Sequence, residues 1–265
     1  MNAPWMLASW TLLVRELTRF FRQRNRVMGA FGSPLIFWVL IGAGFSSSFR
    51  PPGGSVNMSS MEYLFPGTMT LIILFTSIFS TISIIEDRRE GFLQSVLVAP
   101  ISPAAIVLGK ILGGSAVAVM QAVVFLLLAP LAGIHMTLSS ALASIGVAVL
   151  LSFALTGLGF VIAWRMDSTQ GFHAIMNLFL IPMWLLSGSF FPSAGAPSWL
   201  GWLMRLNPLT YGVAALRRTL YAPDAFGTWN LPPLPMSLGI TVLFGVVFFL
   251  LSLFMVERHH APHST

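Results

Sequence analysis

The sequence predicts an all-α polytopic membrane protein with six transmembrane helices, an amphipathic interfacial helix before them, and two short re-entrant outer helices before the last span. Hydrophobic residues make up 56% of the 265 residues and charged residues only 8%, whereas about a quarter of the residues in a soluble domain are charged. The mean hydropathy is +0.84. Because such a chain cannot cover its apolar surface by folding in water, we expect an integral membrane protein.

Six apolar stretches are long enough to cross a bilayer, because a hydrocarbon core of about 30 Å requires roughly 20 helical residues. The predicted spans comprise residues 28–48, 63–85, 111–133, 140–164, 172–191 and 236–256. They form one transmembrane domain over 28–257, between an N-terminal segment (1–27) and a C-terminal tail (258–265). The N-terminal segment, the second and fourth connections and the C-terminal tail together hold ten of the 14 Lys and Arg residues, which predicts that both termini are cytoplasmic.

The N-terminal segment contains a separate amphipathic helix over residues 5–26. At 100° per residue its arginines share one face, and apolar residues such as Trp10 and Phe20 share the opposite face. The arginines are Arg15, Arg19, Arg22 and Arg26. This pattern is typical of a helix in the membrane interface, although the helix can also pack on the protein with its arginines in solvent. The net charge is +6. Because the basic residues lie beside apolar stretches, we expect them to contact anionic lipid and not nucleic acid.

The longest predicted outer connection, residues 192–235, contains two short helical stretches. "PSWLGWLMRL" (197–206) is too apolar for a free loop, and "NPLTYGVAALRRTLY" (207–221) begins with Asn at the capping position and Pro at the first helical position. Both are too short to span the membrane, so we predict re-entrant or interfacial helices.

Five consecutive charged residues, Glu86 to Glu90, follow the second apolar stretch. The simplest interpretation is a cap that ends the span, for which any charges suffice. The run is mixed in sign, however, and the apolar residues after it keep helical spacing. We therefore predict a short amphipathic helix on the cytoplasmic face that contains Phe92, Leu93, Val96 and Leu97 and is ended by Pro100. An apolar patch rimmed by charge is typical of a protein docking site.

Three stretches resemble the type-2 (ABC-2) permeases of ATP-binding-cassette exporters, in particular the small permeases of the daunorubicin-resistance and Nod-factor-export kind. They are "EDRREGFLQSVLVAPISPAAIVLGK" (86–110), "LSGSFFP" (186–192) and "NPLTYGVAALRR" (207–218). The resemblance covers nearly the whole chain. It implies that two six-span subunits, expected to be identical, pair in the bacterial plasma (inner) membrane and that each docks a separate ATPase subunit.

The resemblance also implies a role for each short helix. The helix between spans two and three, at about Asp87 to Val98, is the coupling helix. The N-terminal helix is the connecting helix, and the two outer helices close the exit of the path. The residues expected to contact the ATPase are Asp87, Arg88, Arg89, Glu90, Phe92, Leu93, Val96 and Leu97.

The chain lacks a phosphate-binding loop of the G-x-x-x-x-G-K-[ST] type. Its only Gly-Lys pair, Gly109-Lys110, is followed by Ile111, and Ala104 occupies the position of the first glycine. We therefore expect no catalytic residue and no bound cofactor or metal in this chain, with ATP and Mg²⁺ on the partner subunit.

Two other function classes are less well supported. A secondary transporter driven by an ion gradient commonly uses ionisable groups near the midplane, but no Asp, Glu, Lys or Arg lies in the middle of a predicted span. A membrane-embedded enzyme needs clustered acids, histidines or a nucleophile. Cysteine is absent, and the only histidine cluster lies in the tail, at 259–263.

We place the substrate path between the two subunits, lined by spans two and five. The candidate residues carry polar or soft side chains at mid-depth and are Thr76, Phe79, Asn177 and Met183. A lining with few charges favours an amphipathic substrate, drug-like or lipid-like (including glycolipid-like). The sequence thus predicts the permease subunit of an ATP-driven exporter, with the export direction implied by the resemblance alone.

Overall fold

The computed structural model describes residues 4–22, 24–44, 58–99, 101–190, 196–222 and 231–260. Within these ranges every regular element is helical, which confirms the all-α prediction. The helices are α1 (Pro4–Arg22), α2 (Arg24–Gly44), α3 (Ser60–Ser80), α4 (Ile82–Arg89), α5 (Phe92–Val98), α6 (Pro103–Leu126), α7 (Leu138–Trp164), α8 (Thr169–Trp184), α9 (Ser198–Leu206), α10 (Pro208–Leu220) and α11 (Leu234–His260).

In the described ranges, five helical stretches are long and apolar enough to cross a membrane, and they correspond to predicted spans two to six. They are Ser60–Arg89, Pro103–Leu126, Leu138–Trp164, Thr169–Ser189 and Leu234–Arg258. The first predicted span corresponds to a shorter apolar segment, Gly32–Gly44, and its expected end at 45–48 lies outside the described residues. The sixth crossing therefore stays a prediction. Residue 191 and the tail from 261 also lie outside the description.

Local sequence signals set where several helices begin. The hydroxyl of Ser102 accepts a hydrogen bond from the backbone N–H of Ala105, and Pro103 occupies the first turn of α6. The helix therefore begins well before residue 111, the predicted start of the third span. As a correction, Lys110 lies inside α6 and not in the connection before it.

The centre of the bundle is α3, which packs against α2, α6, α7, α8 and α10. Aromatic side chains from α2, α3 and α6 fill the interior of the bundle. Phe65 and Phe125 stack with ring centroids 4.5 Å apart, and Trp38 meets both rings edge-on. Most residues of α3 are consequently buried.

The two predicted outer helices are present as α9 and α10. The side chain of Asn207 caps α10 by accepting a hydrogen bond from the backbone N–H of Leu209, and its amide donates to the carbonyl of Met183. Most of α10 is buried against α7, α11 and the π-helical turn Leu185–Ser189 that ends α8. Their re-entrant placement in a membrane stays a prediction.

Close packing at Gly67 provides a test of this arrangement. A Cβ atom at Gly67 would lie 2.6 Å from the carbonyl oxygen of Ser189, a backbone atom that cannot rotate away. We expect Gly67→Ala to destabilise the fold by about 1–3 kcal/mol through overpacking, measured as a lower midpoint of thermal unfolding in detergent. Gly146→Ala is the matched control, because nothing lies within 4 Å of its added Cβ; equal midpoints for both variants would contradict the packing.

Candidate functional site

A buried ionic cluster joins α1, α4 and α6, and we call its members Arg15, Glu16, Arg19, Asp87 and Lys110 the Asp87 cluster. Asp87 is 0% exposed. Its carboxylate accepts two hydrogen bonds from Arg15, at 3.0 and 2.7 Å, one from Arg19 at 2.9 Å, and one from the Lys110 ammonium. The hydrogen bonds from Arg15 to Asp87 raise the pKa of the Arg15 guanidinium above its ordinary value, so this guanidinium stays charged.

Two glycines of α6 allow α1 to approach closely enough to complete this cluster. A Cβ atom at Gly109 would lie 2.7 Å from Leu12, and one at Gly113 would lie 2.8 Å from Glu16. The small residues thus bring the backbones together, and Lys110 Nζ lies 2.5 Å from Glu16 Oε1. The Lys110–Glu16 ion pair therefore depends on the close approach of α1 to these glycines of α6.

The short amphipathic helix predicted after the charges is present as α5, but it does not extend back to Asp87 as the resemblance implies, because the chain turns between α4 and α5. Gly91 takes φ 76°, a left-handed conformation that glycine adopts without strain, and α5 begins at Phe92. The turn leaves Asp87 on the inner side of α4, where arginines from α1 bind it. Asp87 is consequently corrected from a docking residue to an internal one.

The Asp87 cluster also positions α5. The guanidinium of Arg15 lies over the ring of Phe92, 3.8 Å from its centroid, while it binds Asp87. Leu93 and Val96 are buried in the core, so these two predicted docking residues pack internally. The exposed face of α5 instead consists of Gln94, Ser95 and Val98, and sequence analysis included none of them.

The remaining predicted docking residues lie at the edge of this surface. Arg88 donates hydrogen bonds to the carbonyl of Trp164 and to the carboxylate of Asp167, and Arg89 Nε donates to the carbonyl of Asp167. Both arginines therefore tie the end of α4 to the connection between α7 and α8. Glu90 is exposed and Leu97 and Phe92 are half-buried.

The basic face of α1 is turned inward. Arg15 and Arg19 bind the Asp87 cluster, which corrects the expectation that they face lipid headgroups, and Phe20 is buried. Trp10 is 62% exposed and Arg22 is exposed, so contact of these two with the membrane interface stays a prediction. The side chain of Arg26 lies outside the described residues.

A cavity of about 680 Å³ opens beside this cluster. Residues of α1, α2, α3, α4 and α8 line it, and the side chains used below are Phe37, Phe75, Phe79, Glu86, His173 and Trp184. Thr76 also lines it, and its hydroxyl donates a hydrogen bond to the amide oxygen of Gln121.

Two of the four predicted path residues therefore meet at this cavity. Asn177 is exposed on α8 and Met183 is half-buried, and neither lines the cavity. By helical spacing Asn177 lies on the same face of α8 as His173 and Ile181, although it is not among the residues that line the cavity, whereas Met183 follows another face. Helical spacing along α8 from His173 predicts that Trp184, three turns later, faces the same side and therefore the cavity.

No group of three or more His, Asp or Glu side chains suited to a metal ion occurs in the described part of the chain. The ionic groups that do gather, in the Asp87 cluster, pair with one another. The site therefore consists of an ionic cluster that holds α1, α4 and α6 together and of an apolar cavity beside it.

Comparison with known proteins finds one matching family and several relatives of this chain. The model of the ABC-2 type transporter family matches residues 8–221. A putative transport permease, ycf38, of Cyanophora paradoxa is 23% identical over 94% of this chain and 87% of the relative. The inner membrane transport permease YadH of Escherichia coli K12 is 26% identical over 80% of each chain. The probable multidrug ABC transporter permease YbhR of the same organism is 27% identical over 63% of this chain, which spans only 46% of that relative.

The cluster predicts a strong dependence of stability on Asp87. Asp87→Asn leaves three cations without their shared carboxylate, so we expect a loss of about 3–5 kcal/mol, measured by thermal unfolding in detergent. Asp167→Asn is the matched control, since the Asp167 side chain is 90% exposed and an exposed pair contributes little.

A second variant separates lost charge balance from lost packing. Asp87→Asn combined with Arg15→Met removes a cation whose two hydrogen bonds both go to Asp87, so part of the lost stability should return. If Asp87→Asn unfolds at the wild-type temperature, or the double variant is less stable than either single variant, the carboxylate does not hold the cluster together.

Proposed function

We propose that this chain, which belongs to the ABC-2 type transporter family, is the membrane subunit of an ATP-driven exporter that moves an amphipathic substrate out of the cytoplasm. As a multi-pass permease of an ABC transporter, it is a transport subunit. In the proposed assembly a separate ATP-binding-cassette ATPase supplies the energy, because the sequence lacks a phosphate-binding loop.

The observation that carries the proposal is the rigid attachment of an exposed short helix to the core. Val98 is 79% exposed on α5, while Leu93 and Val96 of the same helix are buried. A partner that binds the outer face of α5 therefore displaces a helix whose inner face is fixed to the bundle. Such a helix transmits force, whereas a free loop absorbs it.

The displaced helix is connected to the cavity by two routes. Along the chain, α5 follows α4, which with α3 forms a single apolar stretch from Ser60 to Arg89, and α3 contributes Phe75, Thr76 and Phe79 to the cavity. Through side chains, Arg15 links Phe92 to Asp87. We infer that nucleotide-dependent motion of the ATPase changes the cavity by these routes, as alternating access requires.

An amphipathic substrate is supported by the lining of the cavity. Most of its side chains are aromatic or aliphatic, and its polar groups are few and convergent, as in pockets that bind drug-sized molecules. The name of the relative YbhR, a probable multidrug permease, agrees with such a substrate. A lipid-like or glycolipid-like substrate shares this chemistry.

A secondary transporter receives no support from the buried ionisable groups. A proton carrier needs a carboxylate that can lose its counterion and become neutral. Asp87 is instead held by Arg15, Arg19 and Lys110 together. Its charge is a fixed part of the structure in this proposal.

The proposed assembly contains two copies of the chain in a bacterial inner membrane, with both termini in the cytoplasm. Exposed apolar side chains on α2, α8 and α11 provide faces for lipid or for the second copy; examples are Leu40, Leu178 and Leu243. Activity reporters fused to each terminus test the topology: both should report a cytoplasmic position, and a periplasmic C-terminus would remove the six-span arrangement.

Docking by α5 is tested with a substitution on its exposed face. Val98→Asp places a charge in the expected contact, so we expect at least a tenfold loss of ATPase co-purification and of ATP-dependent transport, with unchanged thermal stability. Val98→Thr is the matched control because it keeps the shape of the side chain. The measurement is recovery of the ATPase from its host on the tagged permease, followed by transport into inverted vesicles.

Two outcomes contradict the proposal. Full ATPase binding and transport by Val98→Asp would exclude the docking role of α5. Uphill transport by the purified chain in liposomes, driven by a pH or sodium gradient without any ATPase, would replace the exporter subunit by a secondary transporter.

A further inference from the structure

The cavity has an asymmetric lining in which aromatic rings occupy most of its length and one carboxylate lies at one end. Along α3 and α4, Leu71 and Glu86 are separated by 15 residues, which at helical rise corresponds to about 22 Å. Trp184 lies on the wall beside Phe37, with ring centroids 5.6 Å apart, and its indole N–H is fixed by the carbonyl of Gly67. Phe79 packs against the imidazole of His173 at 4.7 Å.

The described residues that line the cavity include one charged side chain, and its charge is negative. Among the described lining residues Glu86 carries the only acidic side chain, and neither Lys nor Arg occurs. A carboxylate in a site of low dielectric favours a cation and repels an anion, and aromatic rings attract cations to their faces. Carboxylate and aromatic residues therefore select the same class of ligand.

Arg19 is the counterion of Glu86, and it also contacts the carboxylates of Asp87 and Glu90. Arg19 Nη2 lies 2.7 Å from Glu86 Oε2 but 3.7 Å from Glu90, and its Nη1 donates to Asp87 at 2.9 Å. Among the described residues, no donor is aligned for a hydrogen bond to the buried Glu86 Oε2, so Arg19 approaches it as an ion pair only. An incoming cation can thus take over Glu86 while Arg19 keeps Asp87, so no charge is left uncompensated.

We propose that this cavity binds an amphipathic organic cation, with the cationic group at Glu86 and the apolar body between Phe79 and Trp184. This inference rests on the proposed function, whose substrate class it narrows by charge. Binding would draw Glu86 away from Arg19. Because Arg19 also binds Asp87, ligand binding would change the contacts of the Asp87 cluster.

The experiment uses the full chain in nanodiscs without an ATPase, and the probe is tetraphenylphosphonium. Tetraphenylborate has nearly the same size and shape with the opposite charge, so it is the matched ligand control. Isothermal titration, with empty nanodiscs subtracted, should show saturable binding of the cation and at least tenfold weaker binding of the anion.

Variants assign this binding to the cavity. Glu86→Gln and Phe79→Ala should each weaken binding of tetraphenylphosphonium at least tenfold, whereas Glu86→Asp retains the charge and should lose less. Glu257→Gln and Phe254→Ala are the matched controls, because both residues lie on α11 away from the cavity. Thermal unfolding of each variant checks that it is folded.

Each outcome decides the inference. Equal binding of both ions, no saturable binding of the cation, or binding that Glu86→Gln and Phe79→Ala leave unchanged would overturn it. If Glu86→Gln does not fold, the comparison of the two ions on the wild-type chain and the effect of Phe79→Ala decide. ATP-driven export of an uncharged or anionic substrate would overturn the inference and leave the exporter function intact.

Discussion

The arrangement of the whole chain depends on one buried carboxylate. Asp87 is removed from solvent at the end of α4, and an ionised carboxylate in that position is tolerated only when cations and hydrogen bonds compensate its lost hydration. The compensation comes from Arg15 and Arg19 of α1 and from Lys110 of α6. Movement of either helix away from α4 removes cations from this carboxylate and weakens that compensation, so the cluster holds α1 against the bundle.

Much of the fold follows from local signals and was predictable. Long apolar stretches must form helices in lipid because every backbone polar group needs an internal partner, and caps such as Ser102 and Asn207 mark where helices begin. The two short outer helices were found because Pro208 and the apolar run before it are both visible in the sequence. These properties are determined within about one helical turn.

The site was predicted less well because its properties depend on tertiary partners. A run of five charges suggests a solvated surface, and nothing adjacent to Asp87 in the sequence shows that arginines some 70 positions earlier bind it. The position of Lys110 at the edge of an apolar stretch similarly suggested solvent. The sequence does contain a signal, since Gly109 and Gly113 flank Lys110 and allow α1 to approach, but its meaning requires the partner helix.

The same carboxylate determines how a displacement of α5 reaches the cavity. The left-handed turn at Gly91 interrupts the helical hydrogen bonds between α4 and α5, so the backbone there is a joint and not a continuous rod. Arg15 bridges this joint by binding Asp87 while it covers Phe92. One turn further along α1, Arg19 binds Asp87 and also approaches Glu86 in the cavity wall. In the proposed mechanism, force on α5 therefore reaches the cavity through Arg15 and Arg19 of α1.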